Sequence, residues 1–285
     1  MIDVEKIKSS KTTEELLKFS IINVDKPAGP TSFQVSQFVK DIFNINKTSH
    51  FGTLDPAVSG VLPVALGRAC RLSDYFMHRD KTYVGIMRLH TDIEEKKLRE
   101  VIEKFLGKIK QLPPVRSRVK RAFREREVKI FKILEREGKD ILFETQVQAG
   151  TYIRKLCDDI GKEIGGAHML ELRRTNAGIF SEGDLVTLYE LEEAVAAYKL
   201  GNEQPLRSLL SPGEIIGLLL PVVLVKHAAV QKLYRGSPLF ASFLVENVAH
   251  EKDKKVAVFD EQRFIGCYRI VNEGSVFGVP EFVLN

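Results

Sequence analysis

Residues 51–66 read Phe-Gly-Thr-Leu-Asp-Pro-Ala-Val-Ser-Gly-Val-Leu-Pro-Val-Ala-Leu and contain a single charged side chain, Asp55. Gly52 and Gly60 bracket this acid and permit sharp turns of the backbone. Pro56 restricts Asp55 to extended or turn geometry, so the stretch predicts a rigid loop that presents one carboxylate. Burying an acid in such apolar surroundings is costly unless a cation pairs with it or the chemistry needs it. The residues alone leave two interpretations open: a functional acid, or an aspartate that only caps a turn or helix.

Composition limits the class of protein. The chain has 285 residues, 44% of them hydrophobic, which is enough for one large domain and a small one. The longest apolar run, residues 215–225, is too short to span a bilayer, and the amino terminus has no apolar signal core. We therefore expect a cytoplasmic protein without a membrane segment. The formal net charge of +5 is compatible with nucleic-acid binding but does not require it.

The cysteines argue against two kinds of site. Cys70, Cys157 and Cys267 are far apart, odd in number and lack any Cys-x-x-Cys spacing. This pattern favours neither a disulfide framework nor a zinc site. We expect all three side chains in the apolar core.

Hydrophobic periodicity and turn residues divide the chain into elements. Helices are predicted at 31–42, 68–76, from 98 to an end near Gly107, 153–164 and 187–197. Capping boxes begin two of them, formed by Thr31 with Gln34 and by Thr187 with Glu190. The helix over 153–164 has its apolar residues on one face, and the strand over 83–89 has alternate residues on one face. Strands are predicted at 21–24, 83–89, 168–178 and in a hairpin of 128–136 and 140–148, followed after residue 221 by short strands at 222–225, 256–259, 263–270 and 282–284. We predict three parts: a polar extension over 1–18 without a core face of its own, a main domain over 19–215 and a small domain over 219–285.

A basic segment follows Pro113. Within residues 116–126 the only acid is Glu125, and Phe123 lies among the cations. The cations are Arg116, Arg118, Lys120, Arg121, Arg124 and Arg126. A run of charge is usually a solvated face, but cations interleaved with an aromatic ring suit phosphate contact and base stacking. We therefore favour an RNA-binding segment.

The loop around Asp55 also resembles a known motif. The matching residues are His50, Gly52, Thr53, Leu54, Asp55, Pro56, Ser59, Gly60, Val61, Leu62 and Pro63. They are similar to the catalytic loop of the TruB/dyskerin pseudouridine synthases. Three further stretches resemble motifs of that family: residues 26–32, Lys-Pro-Ala-Gly-Pro-Thr-Ser; residues 81–83, Lys-Thr-Tyr; and residues 152–161, Tyr-Ile-Arg-Lys-Leu-Cys-Asp-Asp-Ile-Gly. Residues 173–175, Arg-Arg-Thr, match a family strand.

The resemblance implies a role for each of these residues. Asp55 would be the catalytic carboxylate, Arg154 the cation that keeps it ionised, and Tyr83 the ring that stacks on the target base. His50 would insert when the uridine flips out, and Lys26 with Pro27 would support the site. The remaining expected RNA contacts are Leu156, Arg116, Arg118, Lys120 and Arg121. Neither a metal ion nor an organic cofactor is required.

Simpler structural interpretations remain open for the same residues. Arg154 could only form a helical ion pair with Asp158, and an aromatic residue on a strand, such as Tyr83, is more often core than platform. His50 could be a loop histidine satisfied by backbone. Residues 26–32 could be a plain junction between a strand and a helix.

The resemblance further implies a fold, a reaction and partners. The fold would be α+β, with a mixed, mainly antiparallel sheet and flanking helices, followed by a small β-barrel-like PUA domain that binds RNA. The substrate would be the TΨC arm of tRNA, or rRNA guided by an H/ACA RNA, as in the archaeal branch, where the protein would be a monomer among small protein partners. The alternative is a non-catalytic RNA-binding scaffold of such a particle. Four features differ from what is usual in the family. Ala57 and Ser59 stand where the family often has a longer or branched polar residue, and Arg118 stands where it usually has a small one. Residues 251–255 replace the glycine-aspartate turn that is usual in PUA domains.

Overall fold

A computed structural model describes residues 2–113, 120–246 and 249–285 of the chain. Its α-helices are α1 (Val4–Ser10), α2 (Thr13–Lys18), α3 (Ser32–Phe43), α4 (Ser73–Met77), α5 (Glu95–Glu103), α6 (Ile153–Lys162), α7 (Leu188–Lys199), α8 (Gln204–Leu209) and α9 (Val230–Tyr234). Short 3-10 helices lie at Gly67–Leu72, Glu182–Asp184, Gly213–Leu218, His227–Ala229 and Ala241–Phe243. The strands are β1 (Ser20–Lys26), β2 (Thr48–His50), β3 (Ser59–Leu66), β4 (Lys81–Leu89), β5 (Gly107–Gln111), β6 (Arg124–Glu137), β7 (Asp140–Val147), β8 (Ala167–Ala177), β9 (Phe180–Ser181), β10 (Ser211–Pro212), β11 (Val222–Leu224), β12 (Leu239–Phe240), β13 (Lys255–Asp260), β14 (Arg263–Glu273) and β15 (Val276–Val283).

The larger of two sheets forms the main body. Its strands follow the order β10-β1-β3-β8-β4-β7-β6-β5, with β2 paired to β3 and β9 to β8. The pairing of β3 with β8 is parallel, and the other described pairs of this sheet are antiparallel. The predicted α+β class with a mixed, mainly antiparallel sheet is confirmed.

Local sequence signals explain the elements that border the site. Thr31 caps α3 and Gln34 completes a capping box, as predicted. Thr187 caps α7, and Glu190 completes its capping box. Along β4 every second side chain faces the core, beginning with Lys81 and Tyr83. Strand periodicity therefore fixes which face of β4 is buried.

Two predicted helices differ in part from the structure. The helix predicted to end near Gly107 is α5, which ends at Glu103, and Gly107 has a φ of +76°, outside helical geometry. Ile109 lies instead on β5, opposite Arg126 of β6. The predicted helix over 68–76 is a 3-10 helix followed by α4.

The prediction that residues 1–18 lack a core face is wrong. Ile7 of α1 is 3% exposed, and Leu16 of α2 is fully buried. Arg207 donates hydrogen bonds to the carbonyls of Lys8 and Lys11, each 2.9 Å long. The apolar residues are too few and too widely spaced for periodicity to show, because two short helices with separate buried faces share them.

The second sheet lies at the carboxyl end, in the order β11-β13-β14-β15-β12. It has its own apolar cluster, and another cluster joins it to the larger sheet and to α1. In this shared cluster the rings of Phe19 and Phe264 stack with centroids 5.7 Å apart. Cys70, Cys157 and Cys267 are buried and free, as predicted. Across the described ranges, no helix has both the length and the apolar character needed to cross a membrane.

Candidate active site

The loop that carries Asp55 connects β2 to β3 and is anchored to α3. The Ser32 hydroxyl accepts a hydrogen bond from the Leu54 amide at 2.8 Å and donates one to the Leu54 carbonyl at 3.1 Å. Ser32 is fully buried at the start of α3, so its hydroxyl has a fixed position. The Gly29 amide donates to the Pro56 carbonyl at 2.8 Å. Both residues next to Asp55 are therefore tied to the chain segment around the start of α3.

The buried side chain of Lys26 also anchors the loop that carries Asp55. Its side chain is fully buried at the end of β1, and its Nζ donates to the carbonyls of Pro27 at 2.8 Å, Pro56 at 3.0 Å and Val58 at 2.7 Å. Burial, and then the nearby charge of Arg174, lower the pKa of Lys26. The structure thus brings Lys26 and Pro27 to the Asp55 loop, where the predicted supporting role places them.

Arg154 extends from the first turn of α6 to Asp55. Its Nη2 donates to Oδ2 of the carboxylate. Asp158, the alternative partner considered from the sequence, instead contacts Lys155 at 3.0 Å and Lys162 at 2.9 Å. The helical stripe of α6 therefore faces the core, as predicted, while Arg154 leaves that stripe and pairs with the loop.

Asp55 is not buried, although its neighbours in the sequence are mostly apolar. Its side chain is 50% exposed, and that of Arg154 is 54% exposed. The turn after Asp55 is closed by the backbone, because the Val58 amide donates to the Asp55 carbonyl at 3.0 Å. The carboxylate is thus presented to solvent with a cation beside it.

Tyr83 and Leu156 are both buried. Tyr83 is 9% exposed and belongs to the inward face of β4. Leu156 is fully buried among the apolar residues of the main core. Leu156 thus belongs to the core stripe of α6 in the structure without RNA, and its contact with RNA stays a prediction.

His50 is held by two side chains. Its Nδ1 lies 3.0 Å from the Ser36 hydroxyl and its Nε2 lies 3.1 Å from the Thr53 hydroxyl. The alternative interpretation predicted that backbone groups satisfy this histidine. In the structure, two side-chain hydroxyls do so instead. Burial, followed by the charge of Arg174, lowers the pKa of His50. Inserting this ring into RNA would break both contacts.

The basic segment is described only in part. Arg116 and Arg118 lie outside the described residues. Lys120 and Arg121 are exposed, and Phe123 is 72% exposed. The described part therefore offers cations and an aromatic ring to solvent.

Arg126 connects this segment to the α6 motif, a link that strand periodicity alone did not show. It lies on β6, and its Nη1 donates to the Glu125 carbonyl at 2.8 Å. A Cβ at Gly150 would lie 3.1 Å from the Arg126 Nε, so the guanidinium rests on the turn that precedes α6. Among the described residues, that Nε is buried without a hydrogen-bond partner.

Two buried cations at the loop were missed by the sequence reasoning. Arg174 of β8 is 1% exposed, and its guanidinium donates to the carbonyls of Val61 and Gly52. Lys81 is 4% exposed, and burial, followed by the charge of Arg174, lowers its pKa to about 8. Lys81 precedes Tyr83 by two residues, so strand alternation could have shown that it faces inward.

Other chemistry around the site is limited. Asp25, a second nearby acid, is held by Arg173 at 2.9 and 3.1 Å. Within the described ranges, no group of three or more His, Cys, Asp or Glu side chains is placed to hold a metal ion. The arrangement thus supplies one accessible carboxylate with its cation on an anchored loop.

Family models and known proteins are similar to this chain over most of its length. A model of the TruB family pseudouridylate synthase N-terminal domain matches residues 40–153, and one of the tRNA pseudouridylate synthase B C-terminal domain matches residues 154–216. The chain is 46% identical to a probable tRNA pseudouridine synthase B of Methanopyrus kandleri over 81% of this chain and 69% of that one. It is 40% identical to the Archaeoglobus fulgidus counterpart over 88% of this chain and 78% of that one.

Solved structures are similar across almost the whole chain. A crystal structure of a Cbf5-Nop10-Gar1 complex contains a chain that is 38% identical, with a TM-score of 0.90, over 97% of this chain and 88% of that one. A structure of an H/ACA RNP bound to a substrate RNA containing 2'-deoxyuridine contains one that is 35% identical, with a TM-score of 0.89, over 98% and 89%. The chain therefore belongs to the TruB family of pseudouridine synthases, which are isomerases.

Proposed function

We propose that this protein isomerises uridine to pseudouridine in the TΨC arm of tRNA, in rRNA guided by an H/ACA RNA, or in both, with Asp55 as the catalytic carboxylate. The observation that carries the proposal is the pair of Asp55 and Arg154. The carboxylate lies on a loop anchored by Ser32 and Lys26, and it faces solvent, where a nucleotide can reach it.

The reaction needs few groups from the protein. The bond between uracil N1 and the ribose breaks, the base turns, and its C5 joins the ribose carbon while the C5 hydrogen leaves as a proton. The uridine must first leave the base stack, at a cost of a few kcal/mol. RNA then covers Asp55, and Arg154 keeps the acid ionised once water is excluded. Asp55 either attacks the ribose carbon or removes a ribose proton, and neither path needs the second carboxylate of a glycoside hydrolase.

RNA binding is assigned to the surfaces beside the site. Lys120 and Arg121 offer phosphate contacts, and the second sheet acts as the PUA-like module, with domain boundaries at 19–215 and 219–285. Tyr83 stacks on the flipped base, and His50 fills the vacated space after leaving Ser36 and Thr53.

The similar structures support a role for partner proteins and a guide RNA. One of them is a complex of Cbf5 with Nop10 and Gar1, and another is an H/ACA RNP bound to a substrate RNA. The similarity covers 97% and 98% of this chain, including the second sheet. We therefore assign this chain a place as one copy in a comparable particle, in addition to catalysis.

The test is pseudouridine formation by the purified chain on an unmodified tRNA transcript, and on an rRNA fragment with a matching guide RNA and partner proteins. Release of tritium from RNA labelled at uridine C5 measures the reaction. Activity on tRNA alone identifies a stand-alone enzyme, and activity only with guide RNA identifies a guided one. No product on either substrate, with RNA binding retained, contradicts the proposal and leaves a scaffold.

A further inference from the structure

Arg174 joins the two ends of the loop that carries Asp55. Its Nε donates to the Val61 carbonyl at 2.7 Å, and its Nη2 donates to the Gly52 carbonyl at 3.0 Å. Gly52 precedes Asp55 and Val61 follows it, so one guanidinium spans the base of the loop. We infer that Arg174 is a positioning residue that sets the location of the Asp55 carboxylate. The inference rests on the proposed function, in which Asp55 reacts.

The two glycines that bracket Asp55 both face Arg174. A Cβ on Gly60, whose φ is +99°, would lie 2.2 Å from the Arg174 carbonyl oxygen. A Cβ on Gly52 would lie 3.5 Å from the Arg174 Nη1. Gly60 and Arg174 are also register partners where β3 and β8 run parallel. The close approach of the Arg174 backbone therefore excludes a side chain at position 60, whereas at position 52 the contact is ordinary and the φ of +96° is what favours glycine.

An arginine in this position is costly unless its geometry is needed. Its side chain is 1% exposed, and its hydrogen bonds within the described residues go to neutral carbonyls. Burying a charge without a carboxylate partner is unfavourable. A planar guanidinium can hold two carbonyls at a fixed separation, whereas a lysine ammonium on a flexible stem cannot. This rigidity is the property that a positioning residue requires.

The charge of Arg174 also affects the pKa values of side chains around the loop. After burial, it is the next cause that lowers the pKa of Lys26, Lys81 and His50. The charge of Arg174 thus acts on three side chains around the loop, while its effect on the Asp55 carboxylate is argued from the geometry of the loop alone.

The test compares Arg174→Lys with Arg173→Lys, a matched change at the neighbouring position of β8. The side chain of Arg173 pairs with Asp25 and Glu182, and among the described residues it forms no hydrogen bond to residues 52–61. We expect the single-turnover rate of pseudouridine formation to fall at least tenfold in Arg174→Lys, because small displacements of a reacting group are costly. We expect RNA affinity within twofold of the unchanged protein, and Arg173→Lys to keep both values. An unchanged rate in Arg174→Lys overturns the inference.

Hydrogen exchange separates positioning from general destabilisation, since a buried residue is being changed. In Arg174→Lys, we expect faster exchange in residues 52–61 and unchanged exchange in β13 to β15. Uniformly faster exchange, or unchanged exchange in the loop, overturns the inference. This measurement needs no turnover, so it remains decisive if the unchanged protein forms no pseudouridine and the proposed function fails.

Discussion

At the scale of single residues, the pair of Asp55 and Arg154 contributes little to stability. Both side chains are half-exposed, and solvent screening limits such pairs to about 1 kcal/mol or less. The same pair becomes important when RNA covers it, because a charged acid without water needs a cation. The family motifs identified both residues, but burial could not be read from them, since neighbours in sequence do not show which face of a loop meets solvent.

Replacing Arg154 should therefore affect turnover far more than stability. We expect Arg154→Met to lower the rate of pseudouridine formation by about 100-fold or more, on the scale of a lost electrostatic partner in a water-excluded site. The free energy of unfolding should change by about 1 kcal/mol or less. Urea unfolding and a single-turnover assay measure the two quantities. Lys162→Met, at the exposed end of α6, is the control and should leave the rate unchanged. Equal rates for both variants would contradict this account.

Lys81 should make stability depend on pH. Its pKa is about 8 in the folded protein, against an ordinary value of 10.5, so between these values the unfolded chain binds one more proton. Stability therefore rises as pH increases through this window, by about 3 kcal/mol in total. Urea unfolding at pH 7.5 and 9.5 should show a smaller rise for Lys81→Met than for the unchanged protein. Identical pH dependence of the two proteins would refute the assignment.

At the scale of elements, prediction from sequence succeeded where one face is continuously buried. The α6 stripe, the alternation of β4 and the capping boxes at Thr31 and Thr187 were all predicted. It was less accurate over 68–76, because apolar spacing did not distinguish a 3-10 helix followed by α4 from one continuous α-helix. Motif membership likewise does not show that Leu156 is buried in the core, and its RNA contact stays a prediction.

The basic segment before β6 should supply the salt dependence of RNA binding. Lys120 and Arg121 are exposed there. Each phosphate contact contributes about 0.7 to the slope of log affinity against log salt for single-stranded RNA. The double variant Lys120→Ala with Arg121→Ala should therefore reduce the slope by about 1.4. Filter binding at several salt concentrations measures it, and Lys96→Ala with Lys199→Ala is a control of equal charge on exposed helical positions. An unchanged slope in the first variant would remove the segment from the RNA interface.

At the scale of the whole molecule, the amino-terminal helices join the two sheets. Ile7 belongs to an apolar cluster that includes Phe19 beside the larger sheet and Phe259 and Phe282 of the second. Lys11 pairs with Glu214, which is 2% exposed. A segment that the sequence presents as a polar extension is thus part of the shared core, and only the three-dimensional arrangement shows it.

Ile7→Ala should destabilise the protein by about 2–4 kcal/mol, because it removes a buried side chain and leaves a cavity. Urea unfolding measures the change. Ser9→Ala, on the exposed side of α1, is the matched control and should change stability by less than about 0.5 kcal/mol. A loss below about 1 kcal/mol for Ile7→Ala would show that α1 does not hold the cluster together.

The most direct test of the central claim is the single-turnover rate of pseudouridine formation by Asp55→Asn, measured together with its RNA affinity. Asp74→Asn, an exposed acid on α4, is the control. We predict no detectable product from Asp55→Asn, an RNA affinity close to that of the unchanged protein, and full activity of Asp74→Asn. Product formation by Asp55→Asn at the rate of the unchanged protein would show that another group carries the reaction.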